Sequence, residues 1–86
     1  MQTDIIEAIL SILSILEETN NRLAEKALSE WSKALDKGDR ETMDSADRDH
    51  IASIHRAGVL SYAIEDIHRM LARKGIKLET TKTDKE

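Results

Sequence analysis

IIEAILSILSIL, residues 5–16, is the stretch on which the fold turns. Only Glu7, Ser11 and Ser14 interrupt an otherwise apolar run of Ile, Leu and Ala. A helix lying on a protein surface needs an apolar arc of roughly 100° or somewhat more. This segment leaves only a narrow polar stripe, so as a helix it requires cover on nearly every side. It is shorter than the roughly 20 residues that a membrane span needs. A chain of 86 residues has few other elements to supply the cover. The run therefore speaks first of assembly.

Outward from it, the apolar phase continues toward the C-terminus. With Ile9 as zero and about 100° per residue, Ile5, Leu13, Leu16, Asn20, Leu23, Ala27, Trp31 and Ala34 share one line. Glu7, Ser11, Ser14, Glu18, Glu25, Ser29, Ser32 and Asp36 share the opposite one. A single wet stripe predicts one helix over residues 4–37, capped by Thr3 and ended by Gly38. Asn20-Asn21 is the one place where it could break in two. Asp4 and Glu7 in the first turn, and Lys33 and Lys37 in the last, suit the helix dipole.

The stretch 38–44 is rich in turn formers and acids, and Asp39, Asp44 and Ser45 are candidate N-caps for a second helix over 45–74. Arg69, Arg73 and Lys74 load its last turn. Gly75 supplies a left-handed cap, and Ile76 can fold back as its hydrophobic partner. Around Ile64 the apolar arc takes in Ala57, Leu60, Ile67 and Leu71, and widens through Ala52, Val59, Ala63 and Met70. Residues 1–78 thus read as one helical domain, and the Thr-, Lys-, Asp- and Glu-rich stretch 79–86 as a disordered polar tail.

The expected fold is all-α: a long helical hairpin that assembles as a dimeric four-helix bundle or a higher oligomer, because two helices alone leave half of each apolar arc wet. Composition agrees. Proline and cysteine are absent and charged residues make up 35%. Helix formers dominate, and neither disulfides nor thiolate metal sites are available. The N-terminus lacks the basic start of a secretory signal, so a cytoplasmic protein is expected. A net charge of −4 disfavours nucleic acid as a partner. The acidic, serine-rich stripe of residues 5–16 disfavours a membrane surface.

The expected oligomer or partner interface takes in Ile5, Ile6, Ile9, Leu10, Ile12, Leu13, Ile15 and Leu16 on the first helix. On the second it takes in Val59, Ala63 and Met70. Asn20, on the apolar line between Leu16 and Leu23, reads as a buried amide that fixes register or oligomer state, with a polar contact to a ligand inside the bundle as the alternative. Arg56 lies inside the widened apolar arc, two turns after Asp49. It reads as an ion pair with Asp49 at an interface, as a packed stem with its guanidinium out in water, or as an anion site made by two or more copies of Arg56 across a symmetry axis. Glu65-Asp66-Ile67-His68 has the Glu-x-x-His spacing of carboxylate-bridged metal bundles, with Glu17 as the one partly inward acid at the same height. His50 and His68 share a line at the edge of the apolar face, and His55 points outward. No serine pairs with a histidine in a nucleophilic arrangement, and no glycine-rich phosphate loop occurs.

These features point to a non-enzymatic interaction protein, a regulator, adaptor or inhibitor, that self-associates, engages a protein partner through an apolar helix face and requires no cofactor. The alternative from another class is a ligand-binding bundle, with a metal at Glu65 and His68 or an anion or nucleotide at Arg56.

Overall fold

The computed structural model describes residues 2–77. The expected polar tail at 79–86 lies outside the described residues. Two helices fill the chain: α1 spans Gln2–Lys37 and α2 spans Arg40–Arg73. They fold back on each other as a hairpin about 55 Å long. α1 runs unbroken through Asn20-Asn21. Thr3, expected as its cap, lies inside the helix, which begins at Gln2.

The connection is shorter than the sequence suggests. Residues 40–44, expected in the turn, are helical, and only Gly38 and Asp39 link the two helices. Two interlocked caps make this possible. Gly38 adopts φ +72°, a left-handed conformation that favours glycine. Its N–H donates to the Leu35 carbonyl (3.1 Å), and the Asp39 N–H donates to the Ala34 carbonyl (2.9 Å). This is the Schellman pattern that satisfies the last carbonyls of a helix. Asp39 then serves the next helix: its carboxylate accepts from the Thr42 N–H (3.1 Å) and from the Thr42 hydroxyl (2.6 Å). One residue thus ends α1 with its backbone and starts α2 with its side chain.

The Thr42 hydroxyl, followed by the Thr42 N–H, holds the Asp39 carboxyl below its ordinary value of 3.8. A depressed native pKa contributes stability that is present above the unfolded value and is lost as pH falls through the native one. The melting temperature of Asp39→Ala should therefore lie below that of the wild type at neutral pH. The gap should close below pH 3.8. Melts of both proteins across an acid series check this.

The far end of α2 repeats the device. Gly75 also has φ +72°. Its N–H donates to the Ala72 carbonyl (3.1 Å), and the Ile76 N–H donates to the Leu71 carbonyl (2.9 Å). Ile76 returns to pack against Leu10 and Leu71, as the sequence led us to expect.

The contact between the helices follows a heptad rule. On α1 the inward positions run Ile6, Leu10, Leu13, Glu17, Asn20, Ala24, Ala27, Trp31 and Ala34, in alternating steps of four and three. On α2 they run Met43, Ala46, His50, Ser53, Ala57, Leu60, Ile64, Ile67 and Leu71 with the same alternation. That 3.5-residue spacing is the signature of a coiled-coil seam. Its two ends differ. Toward the turn the buried residues are small: Ala24, Ala27, Ala34, Ala46, Ser53 and Ala57. Small side chains bring the backbones close, and the His50 Nδ1 reaches the Ala24 carbonyl at 3.1 Å. At the open end the seam is built from Leu10 and Leu71, with Ile6, Ile64, Ile67 and Ile76 against them.

Leu10 and Leu71 are the only large apolar side chains among the described residues that count as buried. Burying such a side chain contributes roughly 1.5–3 kcal/mol. A long hairpin with so small a core is marginal by itself. No helix among the described residues is long and apolar enough to cross a membrane.

Candidate functional site

What remains outside the seam is mostly apolar. In an antiparallel heptad pair, the positions flanking the seam fall on two opposite sides of the hairpin. On one side α1 presents Ile5, Ile9, Ile12, Leu16 and Leu23, between 43% and 64% exposed. The α2 strip beside it carries Ala52, Arg56, Val59, Ala63 and Met70. The two strips border a common groove lined by Leu16, Asn20, His55, Arg56, Val59 and Leu60. Toward the turn the same side becomes charged, with Lys26, Glu30 and Asp49 around a second groove that also ends on Arg56.

The opposite side carries a smaller patch near the turn. Leu28, Leu35, Ile51 and Ile54 are each about half exposed there. Leu28 and Trp31 of α1 meet Ala46, Asp47 and His50 of α2 across its groove. Sequence reading missed this patch. Its signal was present in the spacing of Leu28 and Leu35, one heptad apart and just beside the seam.

The structure divides the expected interface residues into two sets. Leu10 is buried, and Ile6 and Leu13 are half-buried in the seam of the hairpin itself. They are core, and no partner reaches Leu10. Ile5, Ile9, Ile12, Leu16, Val59 and Met70 are exposed on one side, with Ala63 half-buried beside them. Ile15 is exposed and points outward, away from both helices' contact.

Asn20 is the polar centre of the seam, and only 9% of its surface is exposed. Its Nδ2 donates to the Leu16 carbonyl (2.9 Å), and its Oδ1 accepts from Arg56 Nε (2.7 Å). Arg56 Nη2 also donates to the hydroxyl of the buried Ser53 (3.2 Å). The three side chains form a latch across the two helices at mid-height. A slip of one helix turn would leave the buried amide oxygen without its donor, which costs about 1–3 kcal/mol. Asn20 therefore sits where it can hold register.

Arg56 makes no ion pair with a described carboxylate; Asp49, two turns away, lies on the groove wall instead. Two of its five N–H groups face the latch, and the rest stay at the boundary of the two grooves. Arg56 is thus tied to its own hairpin at two points while it remains exposed. Ser53 was not foreseen. Its hydroxyl becomes meaningful only once the seam places it within reach of Arg56.

The Glu-x-x-His pair does not gather with other ligands. Glu65 accepts from Arg69 Nη2 at 3.3 Å, in a cluster with Asp66, which accepts from Arg69 Nη1 at 2.7 Å. His68 is exposed on the flank, and Glu17 is half-buried on α1. Among the described residues no group of three or more His, Cys, Asp or Glu side chains could hold a metal ion. His50 faces α1 rather than sharing a line with His68. Its Nδ1 lies 3.1 Å from the Ala24 carbonyl, which can only accept, so that nitrogen is the donor.

No family model, no curated protein and no solved structure matches this chain.

Proposed function

We propose that this protein is a small, non-enzymatic interaction module of the cytoplasm, an oligomeric helical hairpin that regulates, adapts or inhibits another protein. One observation carries this reading. Large aliphatic side chains lie half-exposed in two patches on opposite sides, while the hairpin buries only two of them in its own core. Monomeric proteins rarely leave such contiguous apolar surface wet, and where they do it marks a docking site. The larger patch suits self-association. The smaller one, around Leu28, Leu35, Ile51 and Ile54, stays available to a protein of another kind.

Leu28→Glu tests the second role. Retention of a defined partner by the wild type, and its loss in Leu28→Glu at unchanged helicity and oligomeric mass, is the expected result. A wild type that remains monomeric at all concentrations and retains no protein sinks the proposal.

An anion site at Arg56 is the second reading. It is favoured by the pre-set guanidinium, which has spare donors beside an apolar groove of about 390 Å³. A ligand that binds only the folded state must raise the melting point. Inorganic phosphate, acetate and nucleotides should then raise the melting point of the wild type but not of Arg56→Gln. No shift with any of them removes this reading.

A further inference from the structure

The larger patch carries enough detail to specify its occupant. Resting on the interaction reading above, we infer that a second copy of this chain covers it. The two hairpins lie face to face with both turns at the same end, so that each α1 packs on the α2 of the other copy.

Area comes first. Ile5, Ile9, Ile12, Leu16 and Leu23, with Val59 and Met70, are each 43% to 64% exposed on one face, a large apolar share for a standard-size interface of roughly 800 Å² per partner. Need comes second. A hairpin with two large buried side chains depends on cover for its own stability, and a second copy is present wherever the chain is made.

Shape and charge decide the orientation. The α1 strip is a row of Ile and Leu, while the α2 strip between Ala52 and Ala63 is low, with Val59 as its largest aliphatic. Arg56 is the one long side chain between them; it is exposed, and its bonds to Asn20 and Ser53 tie it to its own hairpin. High strip meets low strip only when α1 lies over the partner's α2, which requires a two-fold axis along the length of the hairpins. All neighbouring helices then run antiparallel, as in an up-down-up-down bundle. The apolar half covers the apolar half. At the turn end the charged halves, which carry Lys26, Glu30 and Asp49, face each other at the rim. The reverse orientation, with turns at opposite ends and full overlap, stacks Ile5, Ile9 and Ile12 on the charged half of the partner. It would strip water from Lys26 and Glu30 without pairing them.

The absence of cysteine allows a direct test. A single spin label on Arg40→Cys sits at the exposed start of α2, away from the patch. Helix axes 8–10 Å apart put the two labels of this dimer within about 30 Å. Turns at opposite ends put them about 55 Å apart. Light scattering on the same samples should give twice the chain mass. Ile12→Glu should raise the dissociation constant at least 100-fold, while Ile54→Glu on the other side leaves it unchanged. Circular dichroism at high concentration shows whether Ile12→Glu still folds. Should it not fold, the label distance alone decides.

A distance near 55 Å overturns the orientation. Loss of the dimer in Ile54→Glu but not in Ile12→Glu overturns the choice of face. A mass that grows without plateau means head-to-tail joining of the two patches and overturns the two-fold dimer. A monomeric wild type overturns this inference while the interaction reading stands, provided that the protein still retains a partner sensitive to Leu28→Glu.

Discussion

Leu10→Ala should cost about 2–4 kcal/mol, and Ile15→Ala, five residues on in the same apolar run, should change stability by less than about 0.5 kcal/mol. By composition the two positions are equivalent. In the fold Leu10 is 8% exposed and packs against Leu71, whereas Ile15 is 62% exposed and points away from α2. Truncating Leu10 removes its transfer free energy and leaves a cavity at the end of the hairpin where the large side chains gather. An 86-residue domain is stable by only about 5–12 kcal/mol, so this one change removes a large share of the total. The open end can partly collapse into the space, which places the cost short of the largest values seen for such truncations. Urea unfolding at a fixed protein concentration compares the two variants. Equal midpoints would mean that the run 5–16 is not divided between core and surface as the structure has it.

The same run shows what the sequence could and could not convey. Its excess of Ile and Leu was enough for two helices, a hairpin and a need for cover, because those follow from composition and rough periodicity. Its division was not legible at 100° per residue. A straight 3.6-residue helix drifts about 20° per heptad from the 3.5-residue repeat of a supercoiled pair. Over the length of α1 that drift turns the inward line from Ala34 toward Leu10 and leaves Ile9 at the edge of the seam. The alternation of three and four from Ile6 to Ala34, and from Met43 to Leu71, was written in the chain and identifies the seam once that period is used.

The short turn was half legible. Gly38 announced the end of α1, but Asp39, Asp44 and Ser45 were equally good caps until Thr42 was seen bonded to Asp39. The latch was legible residue by residue only for Asn20 and Arg56. Their meeting depends on which heights the turn brings together, and two residues more in the connection would have parted them. Among the described residues the structure gathers no group of three or more His, Cys, Asp or Glu side chains that sequence separation had hidden.

Two adjacent residues on α2 should respond in opposite directions to added carbon. Ala57→Leu should lower stability by about 1–3 kcal/mol or shift the helices apart, whereas Gly58→Ala should raise it by up to about 1 kcal/mol. Ala57 is 6% exposed on the small-residue half of the seam, at the height of the latch. The backbones approach there because both faces are built from alanine and serine. Three more carbons must push α1 away, and the 2.7 Å bond from Arg56 to Asn20 is the first contact to suffer. Gly58 sits one residue further round the helix, and a Cβ built on it meets nothing within 4 Å. Its φ is not in the left-handed region, so alanine fits the helix as it stands and restricts the unfolded chain. Gly58 also lies on the side opposite the strip of Ala52, Val59 and Ala63, so a dimer through that strip leaves it uncovered. Thermal melts of the two variants, at concentrations where light scattering gives equal mass, separate the hairpin's own packing from its association. A stabilised Ala57→Leu would mean that the seam is looser than its alanines imply. A Gly58→Ala that loses stability only in the assembled state would mean that a partner approaches α2 from the other side.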